Sequence, residues 1–282
     1  MRVSAIAIFL LISTHSLVAS AQDIAHALSH KYSKKILVLR HSLKENSQSY
    51  NVAGDLVSHS EEGPWTVYGA IQITKVQFNG TKLRVNGHRL VFGYDSTRKE
   101  LVPYREKHSD TVHVEIELGS QPMNLDQADA VINRIFADTD EKILPLLPDY
   151  WRPYFEKRMH HEIARTPSSA STAATNQSAS NQQSFKVVHV GGDGVTPPKA
   201  LSTPEPEFSQ TAKRLRRQGI CVLSAIIDQE GRVRQPYIVR PAGVGLDEQA
   251  IATVKTWTFK PATRNGQPVS VEMGLEVSFN LY

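Results

Sequence analysis

The chain has 282 residues, of which 40% are hydrophobic and 21% are charged, and its net charge at pH 7 is +4. This composition is that of an ordinary globular protein, and it excludes a largely disordered or membrane-embedded chain. The length predicts two domains of modest size. The excess of positive charge is too small to predict a nucleic acid partner.

The first 21 residues have the pattern of an export signal. Arg2 precedes an unbroken apolar run from Ala5 to Ile12, and the small residues 19–21 fit a cleavage site before Gln22. We therefore expect a cleaved signal peptide and a periplasmic product. The alternative is an inner-membrane anchor formed by an uncleaved N-terminal helix, because residues 3–21 are just long enough to span a bilayer.

Residues 22–165 are expected to form a β-rich domain. The pairs Asn79-Gly80 and Asn86-Gly87 each stand between alternating apolar runs, and this dipeptide tolerates the positive φ of tight hairpin turns. Three consecutive strands are therefore expected around these two turns, and a fourth follows them. The predicted strands are Ala70–Phe78, Lys82–Val85, Arg89–Tyr94 and Thr111–Leu118.

A helix is predicted at the end of this domain. Asn124 is placed to cap its first turn. Gln127 is at the position from which a side chain can accept a hydrogen bond from the backbone N–H of the cap residue. An apolar stripe then recurs at helical spacing and is expected to pack on the sheet. Its members are Leu125, Ala128, Ile132, Ile135 and Phe136.

This domain contains two groups of possible metal ligands: His113 with Glu115, and His160 with His161 and Glu162. Neither group supplies three well-spaced ligands, so we expect no metal site and no cofactor. No nucleophile paired with a base can be assembled from the sequence, so we expect no enzymatic activity. Trp65 and Cys221 are expected in the core, as a large and a small apolar residue.

Residues 166–184 read as a flexible linker. The segment contains neither a charged nor an aromatic residue, so it has nothing with which to bury a core. As a random coil it would span roughly 24 Å, since the span scales as about 5.5 Å times the square root of length. We therefore expect the domains at residues 22–165 and 185–282 to move independently.

The last domain is predicted to begin with a short helix and a strand pair. Ser209 is placed to start the helix and Gly219 to stop it. The strands Ile220–Ile227 and Val233–Val239 flank a turn at residues 228–231, where the final glycine suits a positive φ.

A second helix and a long strand are predicted to complete the domain. Gly245 opens the helix, where Asp247 and Glu248 favour the positive N-terminal end. After an Asn-Gly turn at residues 265–266, apolar and polar residues alternate from Val269 to Leu281. This alternation predicts a strand with one buried face.

The motifs of residues 204–282, taken in order, resemble the TonB C-terminal domain family. They are Pro-x-Pro-x-Phe, Gly-Ile-Cys-Val, Asp-x-x-Gly-x-Val, Gly-x-Gly-Leu-Asp-x-x-Ala, Trp-x-Phe-x-Pro-Ala, Asn-Gly-x-Pro-Val and Val-x-Phe-x-Leu. The resemblance implies a three-stranded antiparallel sheet backed by two helices. With the β-rich first domain, the whole chain is then expected to be of the α+β class.

The resemblance also implies a partner. TonB proteins bind a short extended peptide, the TonB box, of TonB-dependent outer-membrane transporters, and an inner-membrane proton-driven motor complex supplies force through that grip. Motor coupling stays open here, because the family's Ser-x-x-x-His pattern in the membrane helix has Leu11 at the Ser position before His15. The family's Pro-rich spacer is also replaced by the short linker.

The resemblance places the partner-binding residues mainly on the final strand, where an added strand would satisfy the open N–H and C=O groups of a sheet edge. The family's Tyr-Pro before the first helix corresponds to Phe208-Ser209, and a partner-contacting Gln falls on Glu205. The residues implied on the strand are Val271, Glu272, Met273, Gly274, Leu275, Glu276, Val277 and Ser278.

The sequence is compatible with two functions. The first is a periplasmic adaptor that binds a transporter peptide by strand addition, with energy-coupled transport as an open extension. The second is a structural protein of the cell envelope, whose TonB-like domain mediates self-association or docks on the cell wall. In the second case the final strand closes the fold or pairs with another copy, giving a homodimer.

Overall fold

The computed structural model describes residues 20–106, 109–119, 123–165, 187–188 and 194–281, and gives the backbone alone for 161–165 and 187–188. The predicted linker and the first 19 residues of the predicted export signal lie outside the described residues. The described chain is of the α+β class, with a β-rich N-terminal half.

The N-terminal half is a seven-stranded sheet with strand order β2-β6-β4-β3-β1-β7, in which β5 also pairs with β4. All pairs are antiparallel except β2 with β6. The elements are α1 (Ala21–Tyr32), β1 (Ile36–Leu39), β2 (Ser47–Asn51), α2 (Trp65–Tyr68), β3 (Ala70–Phe78), β4 (Lys82–Asp95), β5 (Glu100–Tyr104), β6 (Thr111–Glu117), α3 (Leu125–Ile135), β7 (Phe136–Ala137), α4 (Asp140–Ile143) and α5 (Arg152–Arg165).

The helix predicted after the strands is confirmed as α3. Asn124 Oδ1 accepts a hydrogen bond from Gln127 N at 2.9 Å, and Gln127 Oε1 accepts one from Asn124 N at the same distance. Most of the predicted stripe is buried in one core with α1 and the strands. Leu125 is the exception, because it lies in the first turn and is 39% exposed.

The hairpin predicted at Asn86-Gly87 is wrong, because β4 runs unbroken through it. The facing strand β3 has an irregularity between Ile73 and Lys75, which brings its backbone close to β4. A side chain at Gly87 would place its Cβ 2.7 Å from the carbonyl oxygen of Gln72. The glycine therefore serves a close approach of two strands rather than a turn.

The C-terminal half contains a six-stranded sheet with order β12-β11-β15-β14-β9, in which β8 also pairs with β15. It holds the three long strands that were predicted together with three short ones, and β10 and β13 form a separate pair. The elements are β8 (Val187–Val188), β9 (Val195–Thr196), β10 (Lys199–Ser202), α6 (Gln210–Arg214), β11 (Gly219–Ile227), β12 (Val233–Arg240), α7 (Leu246–Val254), β13 (Thr258–Lys260), β14 (Ala262–Arg264) and β15 (Gln267–Phe279).

The end of α6 differs from the prediction that Gly219 stops it. The helix ends at Arg214, and Arg216 adopts a positive φ of 49°. This lets Arg217 N donate to Ala212 O at 2.9 Å, the closing bond of a helix C-cap motif that usually uses glycine. Gly219 instead begins β11.

The two halves share one hydrophobic core, so the expectation that they move independently is wrong for this structure. Trp65, Phe92 and Trp151 of the N-terminal half belong to the same buried cluster as Leu223 and Ile238 of the C-terminal half. The rings of Trp65 and Phe92 stack with their centroids 4.7 Å apart. Burial of such large side chains gives the contact a strong hydrophobic component.

Backbone hydrogen bonds reinforce this contact at the loop between β12 and α7. Val244 N donates to Phe92 O at 2.8 Å, and Gly245 N donates to the Thr66 hydroxyl at 2.9 Å. At the rim, the Arg217 guanidinium lies over the Tyr104 ring, 5.2 Å from its centroid. Polar and apolar contacts therefore hold the halves in one arrangement.

We expect proteolysis within residues 166–184 to yield two fragments that remain associated, because their shared core does not depend on the linker. Size-exclusion chromatography of the nicked chain should show one peak containing both fragments. The same treatment of a Trp151→Ala chain is the comparison, since loss of this fully buried ring weakens the contact. Separate elution of the wild-type fragments would contradict the shared core.

Candidate functional site

The long strand β15 is held firmly on one side. It pairs with β11 in an unbroken antiparallel register from Gly219 opposite Phe279 to Ile227 opposite Val271. The strand at the other end of this group, β12, lies against α5 and the 3-10 turn at Asp149–Trp151 of the N-terminal half. The two outer strands of the group are therefore in different surroundings.

The outer edge of β15 is largely open. Its first residues pair with β14, and Ser270 and Val271 pair with the short parallel strand β8. From Glu272 to Phe279, no strand within the described part of the chain pairs with this edge. After Glu272, the outward-facing backbone groups are not paired with any strand of the described residues, and such groups can bond to an added strand.

The structure places the predicted strand residues on two faces. Val271, Leu275 and Val277 are buried, and Met273 is half-buried beside the core. The exposed face carries Glu272, Gly274, Glu276 and Ser278. The alternation predicted from the sequence is therefore confirmed from Val271 to Phe279, whereas the polar Ser270 before them is buried.

Glu272 is bonded across the sheet. Its Oε1 accepts hydrogen bonds from the Ser224 hydroxyl on β11 and the Tyr237 hydroxyl on β12, both at 2.7 Å. This carboxylate therefore links three neighbouring strands on the exposed face. Glu276 is exposed on the same face.

The two predicted residues before α6 have different positions. Phe208 is half-buried and packs edge-on against Phe279 at the end of β15, with centroids 5.4 Å apart. Glu205 is exposed, in a segment held by a hydrogen bond from Trp257 Nε1 to Pro204 O at 3.1 Å. The structure thus brings Phe208, but not Glu205, into contact with the strand.

The possible ligands considered on β6 bond to neighbouring side chains. His113 Nδ1 lies 2.6 Å from Asn86 Oδ1, and Glu115 accepts a hydrogen bond from Lys82 Nζ at 2.6 Å. Hydrogen bonds from Lys82 and Arg84 lower the pKa of Glu115 below its ordinary value. These polar and charged side chains therefore bond to one another across neighbouring strands. The described residues contain no cluster of three or more possible metal ligands.

A buried acidic pair at the start of α7 is a feature that the sequence reasoning missed. Asp247 accepts hydrogen bonds from Ala242 N at 2.6 Å and Gly243 N at 2.8 Å, and so closes the loop that precedes the helix. Burial raises the pKa of Asp247. Cys221 is fully buried, which confirms it as a core residue. Burial, with Asp247 as a further cause, also raises the pKa of its thiol.

Glu248 lies at the contact between the halves. Its carboxylate faces Trp65, Trp151 and Tyr150 of the N-terminal half, and neither oxygen makes a hydrogen bond of normal geometry within the described residues. Burial, and then the charge of Asp247, raise the pKa of Glu248 to about 8. The buried surroundings of the carboxylate therefore favour the protonated form of Glu248.

Comparison with known proteins supports a family for the last part of the chain. The family model described as the Gram-negative bacterial TonB protein C-terminal matches residues 204–281. The solution NMR structure of the Pseudomonas aeruginosa TonB CTD is 16% identical in sequence, and the match covers 34% of this chain and 95% of that one, with a TM-score of 0.27. No curated protein matches the chain. Within the described residues, no helix combines the length and apolarity needed to cross a membrane.

We expect the free energy of unfolding to fall as pH rises from about 4.5 to about 8, the ordinary and folded pKa values of Glu248. In this window Glu248 of the folded chain holds a proton that the unfolded chain has released. The contribution of this proton to stability is therefore complete below about pH 4.5 and lost above about pH 8. One such proton gives a slope of about 1.4 kcal/mol per pH unit. Chemical denaturation at a series of pH values measures it.

A Glu248→Gln variant should lack this part of the slope, because glutamine does not titrate. The exposed Glu276→Gln serves as the matched control and should keep the slope of the unaltered chain. Equal slopes for Glu248→Gln and the unaltered chain would show that Glu248 does not bury a proton in the folded state.

Proposed function

Because residues 204–281 are a TonB C-terminal domain, we propose that this chain is an adaptor of the cell envelope that binds an extended peptide of a TonB-dependent outer-membrane transporter. Domains of this family typically bind such outer-membrane receptors. The observation that carries the proposal is the outer edge of β15 after Glu272, with which no strand of the described residues pairs. The partner peptide adds to the sheet as a further strand at this edge.

Strand addition suits the chemistry of this edge. Main-chain hydrogen bonds supply affinity, and the side chains on either side supply selectivity. A strand along residues 272–278 would extend roughly 23 Å, at about 3.3 Å per residue. Its alternate side chains would face either the exposed Glu276 or the half-buried side where Met273 and Phe208 lie.

The packing of the N-terminal half supports the choice of this edge. Strand β12, at the opposite side of the long strands, lies against α5 and the turn that precedes it. After Glu272, no strand of the described residues lies on the outer side of β15. Binding by strand addition needs only this edge, so the proposal does not require the chain itself to contact a proton-driven motor.

The proposal includes export of the chain and cleavage before Gln22, which intact-mass analysis of the protein from envelope fractions tests. The expected product lacks residues 1–21. It therefore lacks Ser20, whose hydroxyl accepts a hydrogen bond from Asp23 N at 3.2 Å and caps α1, so the first turn of α1 should lose about 1 kcal/mol of stabilisation. A product that retains Met1 and extracts only with detergent would support the membrane-anchored alternative.

A proline at Glu276 tests the edge directly. Proline removes a backbone donor and disrupts pairing along the strand, so Glu276→Pro should weaken binding of a synthetic TonB-box peptide at least tenfold. The matched control Glu276→Ala keeps the backbone donor and should change affinity by no more than a few fold. Titration calorimetry measures both affinities, and circular dichroism checks that each variant is folded.

A second measurement leaves the protein unaltered. Methylation of the peptide nitrogens at alternate residues removes donors from one side of the peptide at a time. Only one of the two alternating patterns should abolish binding, because only one side of an added strand pairs with β15. Equal affinity of the unaltered chain for the two methylated peptides would exclude strand addition at this edge. So would an unchanged affinity of the TonB-box peptide for a well-folded Glu276→Pro chain. Either result would favour self-association or closure of the fold.

A further inference from the structure

Strand β8 lies on the outer edge of β15, directly before the part that the proposed function assigns to a partner peptide. Its residues Val187 and Val188 run parallel to β15 and pair with Ser270 and Val271. After Glu272, β15 pairs with β11 and, within the described residues, meets no strand on its outer side. The chain therefore already adds a short strand of its own to this edge.

We propose that β8 is an intramolecular substitute for the partner strand and competes with a bound peptide for the outer edge of β15. This inference rests on the proposed function, since it concerns the same edge. Both strands would use the backbone groups that face outward at the Ser270–Val271 step of β15, and each group can pair with one strand at a time. A partner that extends over these two residues must displace β8.

The sequence around β8 suits a strand that can pair with an edge. Residues 185–190 read Phe-Lys-Val-Val-His-Val, a run rich in β-branched residues that are favoured in strands. Within the described residues, Val187 and Val188 of this run pair with β15. These two pairs contribute few hydrogen bonds, which suits a strand that is to be exchanged for another.

A short tether keeps β8 near the edge when it is displaced. Residues 189–194 connect it to β9, which is fixed to β14. There the Thr196 hydroxyl lies 2.7 Å from the Thr263 hydroxyl and accepts a hydrogen bond from Thr263 N at 3.1 Å. A tether of this length gives an effective concentration on the order of millimolar, so even weak pairing competes with a free peptide.

The test uses the full chain and a capped synthetic peptide of residues 185–190 as the probe. The double variant Val187→Pro/Val188→Pro removes both backbone donors of β8 and frees the edge. We expect the probe to bind this variant at least about threefold more tightly than the unaltered chain, because its competitor is gone. A Ser180→Pro chain, altered in the predicted linker, is the control and should bind like the unaltered chain.

Equal affinity of the probe for the double variant and the unaltered chain, including no measurable binding to either, would overturn the inference. If the double variant does not fold, the unaltered chain labelled with nitrogen-15 is titrated with the unlabelled probe. Displacement predicts that the amide signals of Val187 and Val188 shift with saturation. Signals that stay in place at saturation would also overturn it.

A TonB-box peptide, measured in parallel, separates this inference from the proposed function. Binding of that peptide with equal affinity to both chains, without binding of the probe, would leave the proposed function standing and overturn the competition. Tighter binding of the probe to the double variant, with no binding of the TonB-box peptide to any chain, would support the exchangeable strand and count against a transporter as its partner.

Discussion

The arrangement of the whole molecule depends on how closely the loop between β12 and α7 approaches β4. Gly243 has a φ of 82°, and a Cβ at this position would lie 2.5 Å from the carbonyl oxygen of Phe92. A residue without a side chain is therefore required for the hydrogen bond from Val244 N to Phe92 O. Val244 itself has a φ of 50°, an unfavourable conformation for a β-branched residue. Its nearly complete burial and this hydrogen bond offset the cost.

The same loop organises the C-terminal half. Asp247 binds two of its backbone amides, so the loop, the end of β12 and the start of α7 form one unit. Docking of this unit on β4 also positions Glu248 against the aromatic side chains of the N-terminal half. The outer edge of β15, on the far side of β11, is paired with β14 and β8 at its beginning and, after Glu272, with no strand of the described residues. The site proposed for a partner thus follows from which side of the sheet the N-terminal half covers.

Local chemistry explains where the sequence predicted the fold well. The turn at Asn265-Gly266 was predicted from a dipeptide that tolerates positive φ, and both residues adopt it, with φ of 52° and 79°. The hairpin at residues 228–231 is also confirmed. Its Asp228 Oδ1 accepts a hydrogen bond from Arg232 N at 2.7 Å. Each of these signals acts within a few residues. The alternation along β15 is equally local, and the burial of alternate residues from Val271 to Phe279 confirms it.

The same dipeptide misled at Asn86-Gly87, because its role there depends on an irregularity in a neighbouring strand. A pattern within β4 contains no information on how β3 is paired. Burial of Glu248 is non-local in the same sense: the sequence shows a carboxylate in the first turn of a helix, where exposure is the ordinary expectation. Its surroundings come from Trp65 and Trp151, far away in the chain.

Independent movement of the halves was inferred from the composition of residues 166–184, and the shared core shows why that step fails. A flexible linker sets how far two domains can separate, but the surfaces that they bury against each other decide whether they do separate. A short linker even favours docking, since it holds the two surfaces at a high effective concentration. Flexibility of the linker and a rigid contact are therefore compatible. Composition could not reveal that Trp151, at the end of one half, and Val244, in a loop of the other, belong to the same buried core.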